Sequence, residues 1–327
     1  MGIKHLNRYL LNHCSGTSIS KKGLCEFRNK VVVIDTSIYL YKFVETGALI
    51  EGLYNMISIF RKYNIIPVFV FDGKPPVEKK ELLEKRRMEK QDAEYKYNEL
   101  KSELKLIVSD GIKEKELEIK TEMELLQKRF VRIHHTDIQT AKDLISAYGI
   151  QYIESCGESD QLCAYLVKKS YAWACVSDDM DMFVYGCPRV IRHISLMNHT
   201  GVLYDTTSIL FDLDMSHSTF KDLMVLSGTD YNMCDNTNLE ETMKWYEKYL
   251  NTNYDACGFY SWLEQHTKYI SDKSHLEKTC NLFDLTKFPL NHRDEIRSII
   301  SKLPFQNGNI QYDALRAILK TDGFIFV

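Results

Sequence analysis

No stretch of this chain approaches 18 consecutive apolar residues, so the sequence offers no transmembrane helix. It carries no secretory signal. Met1-Gly2 opens like a myristoylation site, but Leu6 stands where Ser or Thr is needed. The nine cysteines include no C-x-x-C pair, and most lie in apolar runs, as Cys163 and Cys175 do. That argues against a disulfide framework or a zinc site, and for reduced, buried thiols in an intracellular protein. Asn198-His199-Thr200 then matches a glycosylation sequon by chance. A large excess of charge is also missing. With a formal net charge of −3, any nucleic-acid binding must come from local basic patches. No internal repeat or low-complexity tract is present. What remains is ordinary globular material, 327 residues at 44% apolar, enough core for one large domain or two smaller ones.

Against this background three short, β-branched, apolar runs stand out, because each ends abruptly in aspartate. They are Val31-Val32-Val33-Ile34-Asp35, Val68-Phe69-Val70-Phe71-Asp72, and Trp173-Ala174-Cys175-Val176 leading to Ser177-Asp178-Asp179-Met180-Asp181. Continuous apolar runs of this length read as strands buried on both faces, as in a parallel sheet. The carboxyl ends of such strands line the functional crevice of an open α/β sheet. One Asp there could be no more than the N-cap of the following helix. Three strands delivering carboxylates to one edge build an acidic pocket, which is costly unless cations occupy it. The expectation is a hard-metal site for Mg²⁺ or Mn²⁺. Gly157-Glu158-Ser159-Asp160 places two more carboxylates in the first turn of a helix, where the dipole favours negative charge, although capping alone would also account for them.

Residues 1–72 read as β/α units, with a helix near 3–13, strands at 31–35 and 67–71, and a helix near 52–63. Gly73-Lys74-Pro75-Pro76 is a stop signal. The segment Lys74–Arg132 then holds 16 Lys/Arg and 14 Asp/Glu, and beyond the paired prolines only one glycine, Gly111. It is too polar for core and reads as two exposed helices broken near Ser109-Asp110-Gly111. A charge run of this kind is often just a solvated hairpin. The sheet pattern resumes at 130–133 and 150–153, followed by a helix at 159–170 and strands at 172–177 and 189–194. From about 206 onward the chain reads mainly helical. The fold class is therefore α/β: a central, mostly parallel sheet flanked by helices, with a helical insertion and a helical C-terminal region.

In order along the chain stand Met1-Gly2-Ile3-Lys4, Ile34-Asp35-Thr36-Ser37, Phe71-Asp72-Gly73-Lys74-Pro75-Pro76, Gly157-Glu158-Ser159-Asp160, Ser177-Asp178-Asp179-Met180-Asp181 and Gly228-Thr229-Asp230-Tyr231. Together, from Met1 to about Tyr231, they closely resemble the flap endonuclease/XPG family of structure-specific nucleases, whose fold is of the PIN-like 5′ nuclease type. The resemblance implies seven carboxylates around two divalent metals, Mg²⁺ with Mn²⁺ as the alternative: Asp35, Asp72, Glu158, Asp160, Asp179, Asp181 and Asp230. It makes 74–132 a helical arch that threads a 5′ single strand, between the two nuclease-domain parts 1–73 and 133–231, with 232–327 as a C-terminal DNA-binding region. Lys79 and Arg86, seven and fourteen residues beyond Asp72, match the family's two catalytic basic residues; on a helix that spacing points both the same way. Lys128, Arg129 and Arg132 resemble phosphate contacts, Tyr41 a tyrosine that stacks on an unpaired base, and Gly2 an N-terminal residue packed against the active site.

The chain also departs from the family. The family usually has Glu where Asp160 stands, so the shorter side chain is expected to reach its metal through water. No glycine occurs between Gly228 and Gly258, where the family has a glycine-containing hairpin that grips duplex through backbone amides and K⁺. Asn232–Leu239 stands there instead, which puts the K⁺ site in doubt. Met56 and Ile59 replace basic positions, with Arg61 and Lys62 nearby. The chain stops at Phe324-Ile325-Phe326-Val327 without a clamp-binding tail or a basic localisation run, as a compact, virus-type member would. The resemblance thus implies a metal-dependent 5′ flap endonuclease and 5′–3′ exonuclease on branched DNA, acting as a monomer away from membranes, in the nucleus or, if viral, the cytoplasm. Alternatives are a bubble or four-way-junction endonuclease, a catalytically silent junction-binding scaffold, and a PIN-like ribonuclease. Intact carboxylates argue against the scaffold, and the arch against the ribonuclease.

Overall fold

The computed structural model describes all residues except 1, 111–112, 233–236, 253–257, 289–291, 305 and 326–327, and gives no side chains for 106–114. Met1 of the terminal motif, the break at Gly111, the middle of the Asn232–Leu239 segment and the last two residues therefore lie outside the described residues.

Seven strands form one mixed, mostly parallel sheet: β1 (Ile19–Gly23), β2 (Val31–Asp35), β3 (Ile66–Phe71), β4 (Tyr152–Glu154), β5 (Ala174–Val176), β6 (Arg189–Ser195) and β7 (Thr200–Asp205), in the order β1-β7-β6-β5-β2-β3-β4. The five strands from β6 to β4 run parallel. The alternation of the pleat divides their side chains between two cores. Val33, Val68, Val70 and Cys175 face one core with Leu6 and Leu10 of α1 (Leu6–His13) and Leu162 and Leu166 of the helix Ser159–Lys168. Val32, Ile34, Phe69, Phe71 and Val176 face the other, with Leu53, Met56, Ile57 and Phe60 of the helix Leu49–Lys62 and Leu144 and Ile145 of the helix His135–Ala147. Each such side chain, once buried, is worth roughly 1.5–3 kcal/mol. The central strands can therefore offset the cost of ending in a buried carboxylate.

The sequence pattern misses the edge pair β1 and β7, which run antiparallel to their neighbours. β1 reads Ile-Ser-Lys-Lys-Gly, and its ladder comes entirely from β7. The strand expected at 130–133 is absent. Phe130 instead stacks edge-on to Tyr97 at 5.3 Å, and the Val131 carbonyl accepts from Lys90 Nζ at 2.9 Å. These apolar residues tie down the end of the insertion, and the helix His135–Ala147 follows directly.

The insertion itself is a 3-10 turn (Val77–Lys79) and two long helices, Lys80–Asp110 and Lys113–Arg129, lying against each other. Among the described residues they bury little beyond Leu82, Ala93, Ile119 and Leu126. Toward the C terminus, the helix Tyr312–Thr321 returns to pack on His135–Ala147. Arg61 secures this return, donating to the carbonyls of Tyr148 (2.9 Å) and Gly308 (3.0 Å). Met56, which stands where the resemblance implies a basic residue, is fully buried in the core.

Candidate functional site

The parallel register brings the acidic strand ends together. Ile34 pairs with Val176 and Asp35 with Val70, so the chain leaving β2, β3 and β5 emerges at one edge. The N-terminus of Ser159–Lys168 closes over that edge. Ser159 is the pivot: its hydroxyl lies 2.8 Å from Asp35 Oδ1 and 2.7 Å from Asp72 Oδ1, and its backbone N–H donates to Asp72 Oδ1 at 2.8 Å. Ser177 Oγ donates to Asp35 Oδ2 at 2.9 Å, and Ser37 Oγ donates to Asp72 Oδ2. Asp179 Oδ1 accepts from the Asp181 N–H at 3.1 Å. Serines thus aim Asp35 and Asp72, and a backbone amide aims Asp179.

Asp35, Asp160 and Asp181 are buried, at 4%, 8% and 1% exposure. Burial pushes the Asp35 carboxyl up to about 7, and the charge of Asp72 adds to this, against the hydrogen bond from Ser159. Asp181 is held well above the usual carboxylate range, first by burial, then by Asp179 and Asp230. Asp160 is raised likewise by burial; Lys79 opposes that and Glu158 reinforces it. Asp181 Oδ1 is fully buried with no hydrogen-bond partner among the described residues. A buried carboxylate oxygen without a donor is expensive to maintain. An orphaned acceptor amid oxygen ligands is the donor set a hard divalent cation takes, so the residues present fit such an ion. Gly2 borders the same point at φ +72°. A Cβ there would lie 2.6 Å from both Asp179 Oδ1 and Asp181 Oδ1, so only glycine fits without displacing them.

Two cations from the insertion reach this cluster. Lys79, 8% exposed, sets its Nζ 2.7 Å from Glu158 Oε1 and 4.5 Å from the centre of the Tyr231 ring. Burial alone would lower its affinity for a proton, but Asp160, Glu158 and Asp230 outweigh burial and hold it firmly charged. Arg86 Nη2 pairs with Asp230 Oδ2 at 2.8 Å. Asp230 follows Gly228 (φ +102°) and precedes Tyr231, whose hydroxyl donates to Glu158 Oε2. Lys79 and Arg86 do not share one helical face. Lys79 belongs to the 3-10 turn and Arg86 to the helix that begins at Lys80, so the two reach the cluster from different elements.

All seven acidic candidates, with Lys79, Arg86 and Gly2, thus converge on one edge of the sheet. The remaining candidates lie outside that cluster. Tyr41 is half-exposed, with Lys90 Nζ 4.9 Å above its ring. Lys128 and Arg129 are exposed at the end of the second long helix, and Arg132 pairs with Glu94 at 2.5 Å. Of the segment expected to replace the glycine hairpin, Asn232 is buried and its side chain donates to the Val225 carbonyl at 3.1 Å, and Asn238 caps the helix Leu239–Leu250. Residues 233–236, on which the K⁺ expectation rests, lie outside the described residues. Sequence reasoning gave no role to Ser37, Ser159, Ser177 or Tyr231. Each stands within a motif already quoted, and position inside those motifs was the available signal.

Residues 1–93 match the XPG N-terminal domain and residues 149–230 the XPG I-region. Flap endonuclease 1 of Methanococcus aeolicus is 32% identical over 234 residues, covering 66% of this chain and 68% of that protein. Flap endonuclease 1 of Candida tropicalis is 31% identical over 250 residues, covering 71% of this chain and 63% of that protein, so the matched region spans less than two thirds of that relative. Among solved structures, the catalytic core of Rad2 superposes with a TM-score of 0.61 at 21% identity, over 98% of this chain and 94% of that one, which shows the fold.

Proposed function

This chain belongs to the flap endonuclease/XPG family, and we propose on that premise that it is a structure-specific 5′ nuclease that hydrolyses phosphodiesters of branched DNA, 5′ flaps above all. The observation that carries this reading is the reach of Lys79 and Arg86 out of the insertion onto Glu158 and Asp230, at 2.7 and 2.8 Å. A cation pair set against a carboxylate cluster suits a phosphodiester: the carboxylates hold divalent metal and the cations take up charge on the phosphate.

Asp35, Asp72, Glu158, Asp160, Asp179, Asp181 and Asp230 would hold one or two Mg²⁺ or Mn²⁺ ions, which when bound polarise the phosphate, lower the pKa of the attacking water and stabilise the leaving oxygen. The chain's own residues do the rest. Ser37, Ser159 and Ser177 fix the orientation of Asp35 and Asp72, so these carboxylates need not reorganise during reaction. Asp160, buried and within the field of Lys79, acts through water. Lys79 and Arg86 neutralise charge that develops on the scissile phosphate. Gly2 leaves room beside Asp179 and Asp181. Tyr41 stacks on an unpaired base once Lys90 leaves its ring, and Lys128, Arg129 and Arg132 engage phosphates of the strand that the arch receives. In this reading 1–73 and 133–231 form the nuclease domain, 74–132 the arch and 232–327 a duplex-binding region.

The test is an order-of-addition experiment with a 5′-labelled flap. If the arch threads a free end, a bulky 5′ block added before enzyme sharply reduces cleavage, and one added afterwards does not. Equal cleavage in both orders removes the threading mechanism and moves the protein to the bubble and four-way-junction endonucleases. No Mg²⁺-dependent cleavage of flap, nick, bubble or four-way-junction DNA would leave the scaffold and ribonuclease readings, which the same panel in RNA separates.

A further inference from the structure

A second cluster of metal-binding side chains lies away from the carboxylate edge. Cys156, His292 and Glu295 each present one ligand atom, and these atoms all lie within 4.8 Å of one another. Cys156 is half-buried in the turn between β4 and the helix Ser159–Lys168. His292 and Glu295 stand at the start of the helix Arg293–Ser301, one as its N-cap and the other three residues on, with Nδ1 and Oε2 3.1 Å apart. The chain separates Cys156 from His292 by 136 positions, so no local spacing announces this group. Only the packing of the C-terminal helices brings it together.

We propose that Cys156, His292 and Glu295 form a binding site for one borderline divalent cation, Zn²⁺, with water completing the shell. Donor chemistry selects the ion. Thiolate and imidazole suit zinc, whereas Mg²⁺ takes oxygen ligands. The two sites of this protein would therefore sort hard from softer ions. Zinc bonds to S, N and O run about 2.0–2.3 Å in a tetrahedral shell, which places donors about 3.5 Å apart. His292 Nδ1 and Glu295 Oε2 already stand 3.1 Å apart, and no pair of the three donors is further apart than 4.8 Å. His292 and Glu295 keep part of their surface in solvent, at 34% and 62% side-chain exposure, so the ion has an entry path. Phe288, 5.9 Å from the His292 ring, supplies an apolar wall.

The position gives the ion a consequence. Cys156 sits between Ser155, whose hydroxyl donates to the Glu158 carbonyl at 3.1 Å, and Gly157, whose carbonyl accepts from the Gly73 N–H at 2.7 Å. The turn therefore touches both Glu158 and the residue after Asp72. A cation on Cys156 clamps the helix Arg293–Ser301 to the turn that carries Glu158. It acts as a positioning site for that turn and does not contact the reacting atoms.

The experiment titrates Co²⁺, as the spectroscopic stand-in for Zn²⁺, into the full chain held in excess Mg²⁺ so that the carboxylate edge is occupied. The expected result is a 1:1 complex with a thiolate-to-cobalt charge-transfer band, displaced by Zn²⁺. Cys156→Ser abolishes the band, and His292→Gln weakens affinity by more than the ~10–100-fold that loss of a partner outside the ligand set costs. Asp181→Asn and Cys25→Ser leave both unchanged. Zn²⁺ should also raise the melting temperature of the wild type and not that of Cys156→Ser. A band that survives Cys156→Ser, a band lost in Asp181→Asn, or no thiolate band at all would each overturn the proposal. Because His292 is partly exposed, His292→Gln keeps the test valid if Cys156→Ser folds poorly.

Discussion

The acidic sheet edge and the helical insertion are built by opposite rules. At the edge, Asp35, Asp160 and Asp181 are buried, serine hydroxyls aim Asp35 and Asp72, and burial with the charge of Asp72 lifts Asp35 to about 7. In the insertion, charges of both signs line solvent-exposed helices and pair at the surface, as Arg132 does with Glu94 and Lys120 with Glu116. Exposed pairs of this kind are each worth roughly 0–1 kcal/mol. The first region stores electrostatic cost at a point; the second spreads charge where it costs little. Among the described residues, Lys79 and Arg86 cross from one to the other. A geometry that is costly to keep is one in which each atom matters, whereas an inexpensive one tolerates change.

The largest effect should follow from the edge. Asp179→Ala or Asp181→Ala is expected to lower single-turnover cleavage by more than about 1,000-fold, since a bound metal supplies several kcal/mol at the transition state. DNA binding should stay equal or tighten as repulsion of phosphate falls. Cleavage within tenfold of wild type would take these two residues out of the site. Next come the crossing residues. Lys79→Ala is expected to slow the chemical step by roughly 10²–10³-fold, and Arg86→Ala by less, because its side chain is 40% exposed against 10% for Lys79. A parallel loss of binding with the chemical rate intact would make both simple phosphate anchors.

Gly2→Ala sharpens the comparison without altering any charge. Its Cβ must displace Asp179 or Asp181 from 2.6 Å contacts; misplacement on the order of 1 Å can cost about 100-fold. Wild-type activity in Gly2→Ala would show that the N-terminus swings away in the working enzyme. A pH profile then separates the cost of the edge from its use. The Asp35 carboxyl rises from 3.8 unfolded to about 7 folded, so the folded chain keeps a proton that the unfolded chain releases. Its contribution to stability is full below about 3.8 and is lost as pH climbs through 7. Thermal unfolding in EDTA should therefore show falling stability over that window, and Mg²⁺ should flatten the fall. Stability that rises with pH across the window in EDTA would contradict the buried, protonated Asp35. Smallest is the effect expected at the far end of the insertion. Lys128→Ala and Arg129→Ala should each weaken DNA binding uniformly across sequences and reduce the salt-dependence slope by about 1.

How much of this could be read from the sequence differs by element. Val31–Val33 and Val68–Val70 carry their strand and their burial openly, because an apolar β-branched run has few other places to go. The polarity of Lys74–Arg132 announces exposed helices for the same reason. β1 was illegible: Ile-Ser-Lys-Lys-Gly becomes a strand only because β7 offers it a ladder. The run at 130–133 looked like a strand because its apolar residues satisfy the same pattern, yet they are used against Tyr97 and Lys90. The motifs around Asp35, Asp72, Glu158 and Asp181 were legible as carboxylates at element ends, where side-chain type and local spacing suffice. What those carboxylates touch was not. That Ser159 bridges Asp35 to Asp72, that Lys79 reaches Glu158 from a 3-10 turn, and that Cys156 meets His292 depend on distances between residues far apart in the chain. Local sequence determines which chemistry is available and on which element it sits. Tertiary packing alone decides which groups come within bonding distance, because that distance is set by how every intervening element is seated in the core.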